Sequence, residues 1–290
     1  MQILCSTGAI IGRLNNRNYR LLETVAPQLD CDGFEFILYN NWYDIVRELT
    51  DYILSLHLNI PVMHCEKTLA EHISRGGEEE LREAYRLFRI NCETAVRLGA
   101  KKMVLHLWNG VISDSHFENN LASYPELNKI SQDFGLDLLI ENVVCLKDPM
   151  SHWLELQKSY PDIHFVFDTK MADFHRQLEL IYEEEYAWLW KNGHIRHYHV
   201  NDYGGGYMEW SNLKVLAIGK GHIDFDRFFA FIARTGYRDT FTFEATGFDQ
   251  QGIVHTDLLN EQFALARKYL SSPETIPANT HLLLSREKNK

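Results

Sequence analysis

The chain is 290 residues long, 45% apolar and 24% charged, which fits a soluble globular protein built as one large α/β domain or two average ones. Its formal net charge of −11 argues against nucleic acid as a partner, because phosphate contacts need a positive face that would form here against the overall field. No run of about 18 apolar residues occurs, so no membrane span is expected.

The N-terminal MQILCSTGAI carries no basic leader, and a cytoplasmic setting is expected. Five cysteines, Cys5, Cys31, Cys65, Cys92 and Cys145, are scattered and form no CxxC pair. Neither a disulfide framework nor a cysteine zinc site is suggested.

Taken in chain order, short apolar runs alternate with longer amphipathic ones. Strands are expected at 2–5, 33–38, 60–64, 102–107, 136–141, 164–168, 197–200 and 240–244. Helices are expected at 19–29, 43–58, 78–98, 116–133, 150–160, 174–191, 226–235 and 257–270. The clearest is 78–98, where Leu81, Ala84, Phe88, Cys92 and Ala95 recur at helical period and Gly99 supplies a C-cap. Eight strands alternating with eight helices predict a single (β/α)8 TIM barrel over residues 1–270, followed by a polar tail at 271–290. An open doubly wound sheet would need a glycine-rich first turn, and STGAIIG is a poor one.

The ends of the strands carry the chemistry. IPVMH ends in His64, MVLH in His106, LDLLIE in Glu141, FVFD in Asp168, HYH in His199 and FTFE in Glu244. One such residue is usually a cap or a loop hydrogen-bonding group. Six in successive βα units converge on the face where barrel active sites are built. A buried strand such as LLIE, ending in a carboxylate followed by the amide of Asn142, needs something positive to meet that carboxylate.

Glu141, Asp168, His199 and Glu244 therefore read as a metal site. Three carboxylates and one imidazole suit Mn2+, Mg2+ or Co2+, with Zn2+ also compatible. His64 and His106 stand open between further ligands, substrate contacts and satisfied rim histidines. A divalent ion holding a carbonyl and a neighbouring hydroxyl acidifies the carbon between them, and a flanking carboxylate can take that proton. Isomerisation, epimerisation and dehydration of sugars share this first step.

With VMHCE, MVLHLW, LLIENV, FVFDT, HYHVND, GKGHIDFDRFF and FTFEATG in this order over about residues 2–270, the sequence resembles the xylose isomerase-like barrel superfamily. That superfamily spans sugar-phosphate isomerase/epimerase-type proteins, ketose 3-epimerases, inosose dehydratases and an endonuclease IV branch. The resemblance implies one divalent ion on Glu141, Asp168, His199 and Glu244, with the two glutamates doubling as an acid–base pair. It also implies a homodimer or homotetramer. Two departures stand out. Met171 occupies the place of a histidine common three residues after the aspartate, and Leu213 and Val215 replace ligands that the nuclease branch uses. Both argue against an abasic-site nuclease.

The expected function is a metal-dependent sugar or sugar-phosphate isomerase or epimerase working through an enediolate. The alternatives are a lyase of the inosose or dehydroshikimate dehydratase type and a non-catalytic sugar-binding barrel. Candidate substrate contacts are His64, His106, Trp108, Lys170, Lys220 and His222. The GKG at 219–221 offers amides to an oxyanion, Glu35 is a further rim acid, and YGGGY at 203–207 reads as a lid.

Overall fold

The short apolar runs become eight parallel strands that close on themselves in chain order in this computed structural model, which describes residues 1–271. They are β1 (Gln2–Ser6), β2 (Gly33–Ile37), β3 (Val62–His64), β4 (Lys102–Leu105), β5 (Asp137–Glu141), β6 (His164–Asp168), β7 (Ile195–His199) and β8 (Thr240–Phe243). Pairing of β1 with β8, from Gln2 opposite Thr240 to Cys5 opposite Phe243, completes the cylinder. Around it lie α1 (Leu21–Val25), α2 (Val46–Ser55), α3 (Leu69–Arg75), α4 (Glu78–Leu98), α5 (Val111–Asp114) and α6 (Phe117–Asp133). The circuit continues through α7 (Pro149–Ser159), α8 (Thr169–Phe174), α9 (Trp188–Lys191), α10 (Phe225–Thr235) and α11 (Thr256–Ser271). The tail expected at 271–290 lies outside the described residues beyond Ser271.

Strand alternation sends one set of side chains out to the helices and the other into the barrel. Outward, Phe165 stacks on Trp153 of α7 at 4.3 Å, and Tyr198 meets Phe228 of α10 edge-on at 5.8 Å. Inward, Leu4, Val62, Val104, Leu139 and Val166 form an apolar cluster of their own, separate from the helix-covered core. Each is fully buried, which contributes about 1.5–3 kcal/mol for a side chain of this size.

Helix α4 spans the residues its periodicity predicts and ends where Gly99, at φ +88°, turns its N–H back to the carbonyls of Ala95 and Val96. The helix expected at 174–191 does not form. Asp168 ends β6 and at once caps α8, its Oδ1 accepting from Met171 N at 2.8 Å. Arg176 then takes a left-handed φ of +53°, and Glu183 is extended between two 3-10 turns, Leu178–Tyr182 and Glu184–Tyr186. Leu178, Ile181 and Leu189 are buried all the same, so tertiary packing kept the apolar pattern and discarded the regular helix. Helices α3 and α5 were not expected from the sequence. No helix among the described residues is long and apolar enough to cross a membrane.

Candidate metal centre at the mouth of the barrel

Glu141, Asp168 and His199 are the last residues of β5, β6 and β7, and Glu244 follows β8 directly. One ligand atom from each lies within 4.8 Å of those of the other three. His199 Nδ1 is 2.9 Å from Glu141 Oε1 and 3.6 Å from Glu244 Oε2. Its Nε2 sits 3.1 Å from both oxygens of Glu35, which is wholly buried inside the barrel. Donation of Nε2–H to Glu35 turns the Nδ1 lone pair toward the other three carboxylates, the arrangement that orients metal-bound imidazoles. Glu35 is itself held by His197 Nε2 at 2.8 Å and by the Thr242 hydroxyl donating at 2.7 Å.

The amide in IEN now has its reason. Asn142 Oδ1 accepts from Asp168 N at 2.7 Å while its Nδ2 donates to Asp168 O at 3.0 Å, which locks the end of β6. Asn201 does the equivalent across the cluster, donating through Nδ2 to Asp168 Oδ2 at 3.0 Å and to Glu244 Oε2 at 2.7 Å. The sequence reading gave neither asparagine a role. The available signal was an amide one residue past Glu141 and two past His199.

Burial opposes ionisation throughout the cluster. It pushes Glu141 up, but His199 and His106 outweigh it and hold that carboxyl well below the usual range. Burial likewise disfavours a charged His199, yet Glu35, Glu244 and Glu141 raise it well above the usual histidine value. Asp168 is pushed up to about 6, first by burial and, against the pull of Lys170, by Glu141 and Glu244. Glu35, Glu141 and Asp168 are buried and Glu244 is nearly so, leaving excess negative charge in a low-dielectric site. An oxygen-rich set with one oriented imidazole fits a divalent cation, which would offset that charge.

Three of the expected substrate contacts come to this cluster. His64 Nε2 lies 3.3 Å and His106 Nε2 2.8 Å from Glu141 Oε2, so the two histidines and Glu141 make a second group of close donors. Nδ1 of His106 has no hydrogen-bond partner among the described residues, Nε2 approaches only Glu141, and burial lowers the imidazole to about 4. Lys170 is buried in the first turn of α8 beside Asp168.

The structure places the other three differently. Trp108 is 0% exposed, and its indole donates to Val143 O at 2.7 Å and packs edge-on against Phe117, so no face is free for a sugar. Lys220 is exposed, and His222 is engaged by Asp173 at 2.7 Å. The GKG amides are taken: Gly219 N and Gly221 N both donate to Asp202 Oδ2, at 2.9 and 2.8 Å. The YGGGY segment is pinned by the buried Tyr203, whose hydroxyl donates to Gly206 O at 2.8 Å. A cleft of about 440 Å³ at the other end of the barrel, lined by Tyr124, Asp137, Tyr160 and His164 among others, includes none of the mouth residues.

A closed parallel barrel with carboxylates and an imidazole gathered at the strand ends defines the class of (β/α)8 barrels with a metal-ligand set at the mouth. Residues 24–267 match the model of the xylose isomerase-like TIM barrel family, and the chain belongs to that family. A comparison with curated proteins finds no match.

Solved structures with the same fold include D-allulose 3-epimerase from Methylomonas sp. in complex with D-allulose. It is 14% identical, with 93% of this chain and 97% of that one covered at a TM-score of 0.66. The IOLI protein with a bound zinc atom is 14% identical over 95% and 100% of the two chains, at a TM-score of 0.70. The 3-keto-D-glucoside 4-epimerase YcjR from E. coli is also 14% identical, over 92% and 99%, at 0.65. At this identity the likeness is one of fold.

Proposed function

We propose that the protein is a divalent-metal-dependent sugar or sugar-phosphate isomerase or epimerase, with Glu141 and Glu244 as its acid–base pair and Glu141, Asp168, His199 and Glu244 as metal ligands. The observation that carries this reading is the convergence of those four side chains, backed by a carboxylate that orients the histidine. The sugar epimerases among the structural neighbours support the same chemistry.

When bound, a divalent cation would supply the polarisation of a carbonyl and an adjacent hydroxyl that makes the carbon between them acidic. The chain's own residues do the rest. Glu141 and Glu244 come from strands three apart around the barrel, so the two can address one carbon from different sides. Between them they remove a proton to give the enediolate and return one. Asn201, donating to both Asp168 and Glu244, fixes the distance between one proton carrier and its neighbouring ligand. His64, His106 and Lys170 surround this point and would bind substrate oxygens.

The test is incubation of the metal-loaded protein with a panel of ketoses and ketose phosphates in deuterated water. Solvent deuterium in recovered sugar, abolished by a chelator and restored by Mn2+, Mg2+, Co2+ or Zn2+, is the expected result. Enone absorbance without deuterium in recovered substrate would instead make the protein a dehydratase. Sugar binding with no exchange would make it a binding barrel.

A further inference from the structure

We infer that Asp114, Cys145 and His152 form a second cation site, outside the mouth cluster, with the donor set of a zinc site. The three residues come from three elements. Asp114 ends α5, Cys145 lies in the loop four residues past Glu141, and His152 is in the first turns of α7. A carboxylate oxygen, the thiol sulfur and an imidazole nitrogen lie within 4.8 Å of one another.

His152 gives the independent sign of a ligand. It is 2% exposed, and neither ring nitrogen has a hydrogen-bond partner among the described residues. An imidazole buried without partners is disfavoured, so such a group calls for a specific cause. Its ring is also locked in place. Phe117 stacks on it with centroids 3.6 Å apart, and Trp108 meets it at 5.0 Å. In that fixed pose Nε2 stands 3.7 Å from Asp114 Oδ1. This is too long for a hydrogen bond but close to the separation of about 3.4 Å between two ligands each roughly 2.1 Å from one tetrahedral zinc.

The other two donors are held as firmly. Asp114 Oδ2 accepts from Leu146 N, and Cys145 N donates to His175 Nε2 at 3.2 Å, so backbone bonds fix both donors at this point of the loop. Thiolate, imidazole and carboxylate together suit Zn2+ better than Mg2+ or Mn2+, with the fourth position left to water. Burial and the Asp114 carboxylate push the Cys145 thiol up, so without a cation it is an inert thiol rather than a nucleophile. With zinc bound, the site would tie α5, which follows β4, to α7 and to the loop that follows Glu141.

Cobalt reports on this site separately, because the mouth cluster contains no sulfur. The full-length protein is stripped with a chelator and titrated with Co2+ while near-ultraviolet and visible spectra are recorded. A sulfur-to-cobalt charge-transfer band is expected in the wild type, saturating by two equivalents of added Co2+ at the amplitude of one cobalt–thiolate centre per chain, since the mouth cluster takes up cobalt without adding to the band. It should survive in Glu141→Gln, disappear in Cys145→Ser, and weaken at least tenfold in apparent affinity in Asp114→Asn. Zinc content after reloading should fall by one equivalent in Cys145→Ser, with near-ultraviolet circular dichroism confirming that this variant is folded. Absence of the band at any cobalt ratio would overturn the proposal, and so would its persistence in folded Cys145→Ser. Neither result would touch the reading of the mouth, which is judged by the deuterium exchange.

Discussion

Inside the barrel, two groups of inward side chains differ in chemistry, one from β1 and β3–β6 and one from β2, β7 and β8. The first carries the aliphatic cluster of Leu4, Val62, Val104, Leu139 and Val166. The second carries Glu35, His197, Thr240 and Thr242 in one connected hydrogen-bond network, with His197 Nδ1 on Thr240 at 2.7 Å and Nε2 on Glu35 at 2.8 Å. Both are shielded from water, but they do different work. The aliphatic side stabilises by area removed from water and asks nothing of direction. The polar side contributes little net stability, since its bonds replace bonds to water. It does fix where His199 points, and the mouth cluster depends on that.

This contrast can be broken or sharpened by substitution. The largest effect should come where the two sides meet at the rim. Glu141→Gln is expected to lower the rate of solvent-deuterium exchange into sugar by about 10²–10⁴-fold with the fold intact, measured by mass spectrometry and circular dichroism. Equal exchange in that variant would remove Glu141 from the chemistry. On the aliphatic side, Leu139→Ala should destabilise by about 2–5 kcal/mol in urea melts while leaving metal affinity of the folded protein unchanged. On the polar side, Glu35→Gln should show the reverse. Its divalent-metal affinity should drop about 10–100-fold by competition with a chromogenic chelator, with a smaller change in stability than Leu139→Ala.

The smallest effect is on pH dependence in the metal-free protein. His106 and His175 are each held down to about 4, chiefly by burial. Between about 4 and 6.5 the unfolded chain therefore binds more protons than the folded one, and stability falls as pH drops through that window. Asp168, pushed up to about 6, opposes this between about 3.8 and 6, because there the folded state binds the extra proton. Burial also lowers His152 and His197, which act in the same direction, so the histidines outnumber Asp168 and a net loss is predicted, with a slope of at most about 1.4 kcal/mol per pH unit for each histidine. His106→Gln should flatten the slope in thermal melts. An unchanged slope would mean that His106 is already charged in the folded protein.

Some of this was legible without coordinates. Strand ends are readable because a buried apolar run that stops at His, Asp or Glu has to stop at a rim, and successive βα units place those rims on one face. Glu141, Asp168, His199 and Glu244 meet as that logic requires. Trp108, Lys220 and His222 do not join that cluster. Each lies on or after such a rim, but whether a side chain turns to the cavity, the core or solvent depends on neighbours far away in sequence. Val143 O takes the indole of Trp108, and Asp173 takes His222. Helix 174–191 failed for a related reason: its apolar spacing was right, while the reversal at Arg176 and the extended Glu183 divided it.

The sequence by itself determined the barrel, its order of elements and the four residues at its mouth, because period, spacing and residue chemistry are local properties repeated eight times along the chain. Only the tertiary structure decided that Glu35 lies beneath His199, that Asn142 locks the backbone of Asp168 and that Asn201 ties the carboxylates of Asp168 and Glu244 together. It alone also brought Asp114, Cys145 and His152 within 4.8 Å of each other. Closure of the sheet joins β2 to β7 across the inside of the barrel, and loops from different βα units pack side by side. Distances set in that way leave no spacing pattern in the chain to read.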